Sequence, residues 1–132
     1  MTKKNPKKNN RKDDRKQFGA HAEQIAARHL QKLGYRIVAR NVRCRAGEID
    51  LIARDGEILV FCEVKARRQG RFGDPAEAID VRKQAQIITL ANDYLHKLTT
   101  AVPVCRFDAV LMLWNGKEWA IRHEKDAFRP GW

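Results

Sequence analysis

Apolar residues recur at helical spacing from Phe18 to Leu33. Ala22, Ile25, Ala26, His29, Leu30 and Leu33 form one stripe, and Gly34 is placed to end the helix with a left-handed backbone. The pattern then changes period. "YRIVARNVRC", "GEIDLIAR" and "EILVFCEVKA" alternate as strands, the last two joined by Asp55-Gly56, a two-residue hairpin signal. After the polar loop "RRQGRFGD", Asp74-Pro75-Ala76-Glu77 reads as an N-cap with proline at the first helical position and a capping-box glutamate. Asp80 offers a second start, so a short turn and then a long helix to about Leu98 are expected. Val81, Ala85, Ile88, Ala91, Leu95 and Leu98 make its stripe, and Ile87, Leu90 and Tyr94 widen it. "VCRFDAVLMLW", Asn115-Gly116 and "KEWAIRH" give a second hairpin. The order α-β-β-β-α-β-β predicts an α/β fold, a mixed sheet flanked by helices.

Residues 1–16 contain no Val, Ile, Leu or aromatic residue. They cannot bury enough apolar surface to offset ordering entropy and are expected to form a disordered basic tail. One domain follows over residues 17–123, and residues 124–132 are expected to be irregular. No apolar run is long enough to span a membrane, and no apolar segment follows the N-terminal lysines as a secretory signal would.

Charge narrows the partners. The net charge is +11, of which residues 1–16 supply +6 through eight basic and two acidic residues. Such a field favours polyanions, nucleic acid foremost. Cys44, Cys62 and Cys105 are odd in number and lack a C-x-x-C pair, which argues against a disulfide frame or a zinc site and for reduced, core-filling thiols in a cytoplasmic protein.

The first hairpin carries the candidate chemistry. With Asp55-Gly56 as its loop, Ile52 faces Leu59, Asp50 faces Phe61 and Glu48 faces Glu63. One face, Ile49, Leu51, Ala53, Ile58, Val60, Cys62 and Val64, is wholly apolar. The other ends in Glu48, Asp50, Glu63 and Lys65. Facing carboxylates destabilise a sheet unless a cation lies between them, and magnesium, held by one or two carboxylates plus waters and phosphate, suits such a place. A solvated charge cluster in which Lys65 pairs with Glu63 accounts for the same residues. Glu23, nearly in line with Leu30 on the first helix, could look toward the sheet or out to solvent.

The stretches "GAHAEQIAARHLQKLGYRIVARNVRCRAGEIDLIARDGEILVFCEVKAR" and "FGDPAEAIDVRKQAQI" resemble the bacterial YraN-like family over roughly residues 18–123. That family is similar to the restriction-endonuclease-like superfamily, archaeal Holliday-junction resolvases included, whose pattern is an Asp on one strand and Glu-x-Lys on the next. The resemblance implies a restriction-endonuclease-like mixed sheet and nuclease chemistry. It assigns Asp50, Glu63 and Glu23 to a magnesium site, with manganese as an alternative, and Lys65 to the attacking water. Glu48 becomes a supporting partner. Lys83, and Arg67, Arg68 and Arg71 in and beside the following loop, are candidates to grip a phosphate backbone, DNA ahead of RNA. Resolvase-like cutting would require a homodimer. A non-catalytic nucleic-acid-binding module and a protein-interaction module on the same fold are the alternatives. Trp114 and Trp119 read as hairpin-pair or core residues rather than stacking platforms, and Asp108 as structural.

Overall fold

The computed structural model describes residues 6–68 and 79–130, with side chains from residue 13 onward. Arg71 and the expected cap at Asp74–Glu77 lie outside the described residues. Helix α1 spans Pro6–Lys32, followed by strands β1 (Arg36–Cys44), β2 (Gly47–Asp55) and β3 (Ile58–Arg68), helix α2 (Val81–His96), and strands β4 (Cys105–Trp114) and β5 (Trp119–Phe128). The five strands lie in the order β1-β2-β3-β4-β5, antiparallel except for the parallel pair β3/β4 that α2 connects.

α1 starts earlier than its apolar stripe. Residues 6–16, expected to be disordered, are helical from Pro6 onward, and residues 13–17 are exposed. Lysine, arginine and glutamine are good helix formers, and Pro6 suits a first helical turn, so a helix nucleated by the packed half can propagate into a segment with no large apolar side chain. At the other end the Gly34 N–H donates to the Gln31 carbonyl and the Tyr35 N–H to the Leu30 carbonyl, with Gly34 at φ 95°. This is the Schellman arrangement the glycine suggests. Leu33 falls outside the core, at 53% exposure.

The sheet has a helix on each face. Ala22, Ala26, Ala27 and Leu30 of α1 pack with Leu51, Val60, Cys62, Val110 and Met112. Ile87, Leu90 and Ala91 of α2 pack with Ile52, Leu59, Phe61, Phe107 and Leu111 on the reverse face. Asp80 caps α2, its carboxylate accepting the Lys83 N–H at 2.8 Å. Val81, expected in the apolar stripe, is exposed in the first turn.

Two details of the strands differ from the sequence expectation. The β2–β3 loop is Gly56-Glu57, with Gly56 at φ 61°, and the pairs are Ile52↔Phe61 and Leu51↔Cys62. Glycine at the first loop position takes the positive φ at no steric cost. A slip of two is even, so by itself it moves no side chain to the other face and changes only the partners. Glu48 therefore does not face Glu63. One step beyond the last pair, Asp50 comes level with Glu63 instead. The second difference is β5, which runs through Phe128, so residues 124–128 are strand rather than irregular. A register shift beside Asp108, together with Asp126 at φ 53°, carries the strand onward and buries Phe128 against Phe107, with ring centroids 5.1 Å apart. Among the described residues, no helix is long and apolar enough to cross a membrane.

Candidate functional site

The alternation of faces fails in two adjoining strands at one level. On β2, Leu51 and Ala53 pack on the α1 side, yet Ile49 packs on the α2 side. On β1, Ala39 and Val42 both lie on the α2 side, although three residues apart. Val42 pairs with Ile49 and Arg40 with Leu51, so Asn41 and Asp50 sit opposite each other at the fault. Asn41 carries a positive φ of 51°, which asparagine tolerates better than the β-branched residues around it. The apolar face predicted to run from Ile49 through Val64 is therefore interrupted at Asp50.

The fault frees Asp50 to do what a ladder carbonyl does elsewhere. Its Oδ2 accepts the Val64 N–H at 2.8 Å. The same carboxylate acts on Glu63 and Glu23, raising the pKa of each. Glu63 is 5% exposed, and its partner of opposite charge is Lys83 of α2, Nζ to Oε2 at 3.8 Å. Asn41, with its amide nitrogen toward the carboxylates, donates to Glu23 Oε2 at 2.9 Å and Glu48 Oε1 at 2.5 Å. Glu48 also pairs with the exposed Arg43 at 3.5 Å.

Electrostatics report the crowding. Burial, then the negative charges of Asp50 and Glu48 and a hydrogen bond with Asp50, push Glu23 up to about 7. Glu63 is pushed well above the usual carboxylate range by burial and by Asp50, with Lys83 and Lys65 opposing the shift. Oxygen donors that resist simultaneous ionisation are the donor set of a hard divalent cation. Among the described residues, no three His, Cys, Asp or Glu side chains are grouped so as to hold a metal by themselves. The donor set fits magnesium in the form that uses two carboxylates and leaves other positions to water and phosphate.

Beside the carboxylates a cleft of about 550 Å³ is lined by Lys65, Asp80, Arg82, Lys83 and Gln86. Gln86 latches α2 to the β1–β2 connection, its Nε2 donating to the Ala46 carbonyl at 2.6 Å. Gly47, at φ 144°, allows that approach, since a Cβ there would lie 2.7 Å from Gln86 Nε2.

Of the residues picked from sequence, Glu23, Glu48, Asp50 and Glu63 are brought together, and Lys65 and Lys83 line the adjoining cleft. Arg67 donates to the Ala66 carbonyl at 2.9 Å. Arg68 lies instead on the α1 side, its guanidinium 4.3 Å from the Phe18 ring centre. Asn41, Arg82 and Gln86 were not singled out. A lone asparagine inside "RIVARNVRC" was the available signal for the first, and nothing local marked the other two.

A second polar network sits on the α1 side, apart from these carboxylates. Asp108 is wholly buried and accepts from Arg106 Nε (2.8 Å) and Nη2 (3.0 Å) and from the Asp126 N–H (3.0 Å), with His123 Nε2 at 2.8 Å. Arg106 also reaches Asp55 (2.9 Å) and Tyr35 (2.6 Å). Burial would raise the Asp108 carboxyl, but these hydrogen bonds hold it down to about 2. Such complete pairing marks Asp108 as structural. Cys62, buried in the sheet with its thiol pushed up by burial, fills core as expected.

Fold and site together define a class: a small α/β protein whose mixed sheet opens between two strands over a cluster of carboxylates flanked by lysines. The chain belongs to the uncharacterised protein family UPF0102, the YraN family, whose model matches residues 22–112. It is 54% identical over 95 residues to a UPF0102 protein of Symbiobacterium thermophilum, covering 72% of this chain and 80% of that one. It is 46% identical over 119 residues to a UPF0102 protein of Magnetococcus marinus, covering 89% and 95%. A UPF0102 protein of Chlorobaculum tepidum is 45% identical over 120 residues.

Proposed function

We propose that this protein is a metal-dependent nuclease that hydrolyses phosphodiester bonds in DNA, branched or otherwise structured DNA in particular. The observation that carries the reading is the meeting of Asp50 with the buried Glu63 beside Lys65 and Lys83. A cluster of acids this short of positive charge is costly to the empty protein and is explained by a ligand that supplies it. Asp50, Glu63 and the Val64 carbonyl would hold magnesium, or manganese, with Glu23 bound directly or through water. When bound, the ion lowers the pKa of a water and shields the phosphate charge.

The chain's own groups account for the rest. Lys65 orients the attacking water and offsets the negative charge that builds on the phosphate oxygens. Lys83 neutralises Glu63 and faces the same cleft. Asn41 holds Glu23 and Glu48 in place by donating to both. The cationic cleft would receive the phosphate backbone, and a homodimer would present paired sites to a symmetric junction.

The test is cleavage of labelled duplex, flap, junction and single-stranded DNAs, and matching RNAs, with magnesium or manganese, by wild type and Asp50→Asn. Nicking by wild type that the variant lacks supports the enzyme. One observation favours a second reading, a nucleic-acid-binding or interaction module: among the described residues no three His, Cys, Asp or Glu side chains are grouped so as to hold a metal by themselves. Binding without cutting in either protein would select it.

A further inference from the structure

Away from the carboxylates, on the opposite flank of α1, aromatic rings gather where that helix crosses the end of the β4–β5 hairpin. Trp114 and Trp119 face each other across the last pair of the hairpin, with ring centroids 5.1 Å apart. Phe18 lies 4.9 Å from Trp119, and His21 lies 6.4 Å from Trp114. The Trp119 indole N–H donates to His21 Nδ1 at 3.1 Å. Phe18, Trp114 and Trp119 are half-buried, whereas His21 and Arg68 are exposed. A cross-strand tryptophan pair alone is ordinary hairpin stabilisation. That role does not account for the exposed imidazole against the indoles or the exposed guanidinium over Phe18.

We infer that this cluster is a stacking platform for unpaired bases of a single-stranded nucleic acid. Proteins that bind single strands combine ring faces for the bases with a basic track for the backbone. Phe18 and His21 lie on α1, and Trp114 and Trp119 on the hairpin that it crosses. The helical segment that leads into Phe18, residues 6–16, carries six basic and two acidic residues. The half-buried rings keep part of their surface open to a base, and Arg68 supplies charge over Phe18. The platform shares α1 with Glu23, which lies two residues beyond His21. Arg68 lies five residues beyond Glu63 on β3, about 17 Å along the strand, but on the α1 side of the sheet, whereas Glu63 meets α2. The substrate so described has an unpaired segment that is held apart from the bond presented to Asp50 and Glu63. The inference shares with the nuclease reading only the premise that the ligand is nucleic acid. Stacking does not require cleavage.

The experiment uses the full chain carrying Trp132→Phe, so that fluorescence reports Trp114 and Trp119 alone, in chelator without divalent ion. Oligo(dT) is expected to quench that fluorescence, and a blunt duplex of equal length to leave it nearly unchanged. His21→Ala and Arg68→Ala, both at exposed positions outside the core, should each weaken oligo(dT) binding by about tenfold, with a much smaller effect on duplex. Trp114→Leu should weaken it further and Trp114→Phe restore it, with thermal melting confirming that each variant is folded. Asp50→Asn should quench like wild type. Absence of quenching, unaffected His21 and Arg68 variants, or equal losses on single strand and duplex would each overturn the platform. Quenching by a protein that cuts nothing would leave the platform standing and remove the nuclease.

Discussion

Asp50 has two jobs that two substitutions can separate. It accepts the Val64 N–H at 2.8 Å, and it adds negative charge beside Glu63 and Glu23. Asp50→Asn keeps an acceptor for Val64 and removes the charge. Asp50→Ala removes both, leaving a half-buried N–H without its partner at a cost of about 1–3 kcal/mol. Against that stands relief of repulsion, up to about 4 kcal/mol for unit charges 4 Å apart at an effective dielectric constant of 20. That relief is partial wherever a proton is shared. The sign with pH follows from the raised acids. Glu23 and Glu63 hold protons in the folded chain that the unfolded chain releases. Their contribution to stability is full below pH 4.5 and is lost as the pH rises through about 7 and beyond. Without divalent ion, Asp50→Asn should therefore melt above wild type, by a margin that widens from pH 6 to pH 9. Asp50→Ala should be less stable than Asp50→Asn by about 1–3 kcal/mol at every pH. Urea titrations followed by circular dichroism measure both differences. An Asn variant less stable than wild type at pH 9, or an Ala variant as stable as Asn, would refute the assignment of roles.

Magnesium should raise the wild-type Tm and leave Asp50→Asn unmoved, by about 2.7 kcal/mol at a hundredfold excess over Kd, and equal shifts in a melting series would count against the metal site. Arg106→Leu should strip the wholly buried Asp108 of two hydrogen bonds and cost about 3–5 kcal/mol, a fall in Tm on the order of 10–20 °C by calorimetry. Asp108 itself stabilises above its ordinary pKa of 3.8 and loses that contribution as the pH falls toward 2, so Asp108→Asn should flatten the acid limb of a stability–pH curve. Gly47→Ala should cost about 1–3 kcal/mol through its φ of 144°, and adding Gln86→Ala should not restore it, because the contact with Gln86 would be relieved but not the backbone strain.

Periodicity located every described helix and strand, because each element buries a face and that burial selects its residues. It missed the start of α1, where residues 6–16 are helical without an apolar stripe to mark them. It placed Asp55-Gly56 in the hairpin loop where Gly56-Glu57 forms it, since a glycine beside an acid satisfies more than one turn geometry. The slip by two, being even, left Asp50 and Glu63 level with one another, whereas Ile49 left its expected face at the fault beside Asp50. The partners of the carboxylates could not be read. Asn41 reaches the cluster from a neighbouring strand, and Lys83, Arg82 and Gln86 come from a helix across the β3–β4 crossover. Neither distance has a local signature. The extension of β5 to Phe128 depended on a bulge beside Asp108, another long-range feature.

A regular sheet could not have made this site. With unbroken alternation, Ile49 and Leu51 would share a face, and the Val64 N–H would find a ladder carbonyl instead of a carboxylate. Asn41 at φ 51° and Asp50 opposite it break the alternation in both strands at once, which turns Ile49 and Val42 toward the α2-side core and leaves the polar pair outside both apolar clusters. The cost is local: one strained residue, an interrupted β2–β3 ladder and acids held above their natural pKa. Such a fault persists only where the surroundings over-determine it. Here both faces do so, with Leu51 and Ala53 anchored on the α1 side and Ile49 and Ile52 on the α2 side, so the strand cannot slip to relieve the charge. Replacing Asn41 by valine should therefore act on the site before the fold. It would remove the donor to Glu23 and Glu48 and disfavour the positive φ, so divalent-ion stabilisation should weaken while most of the core packing survives.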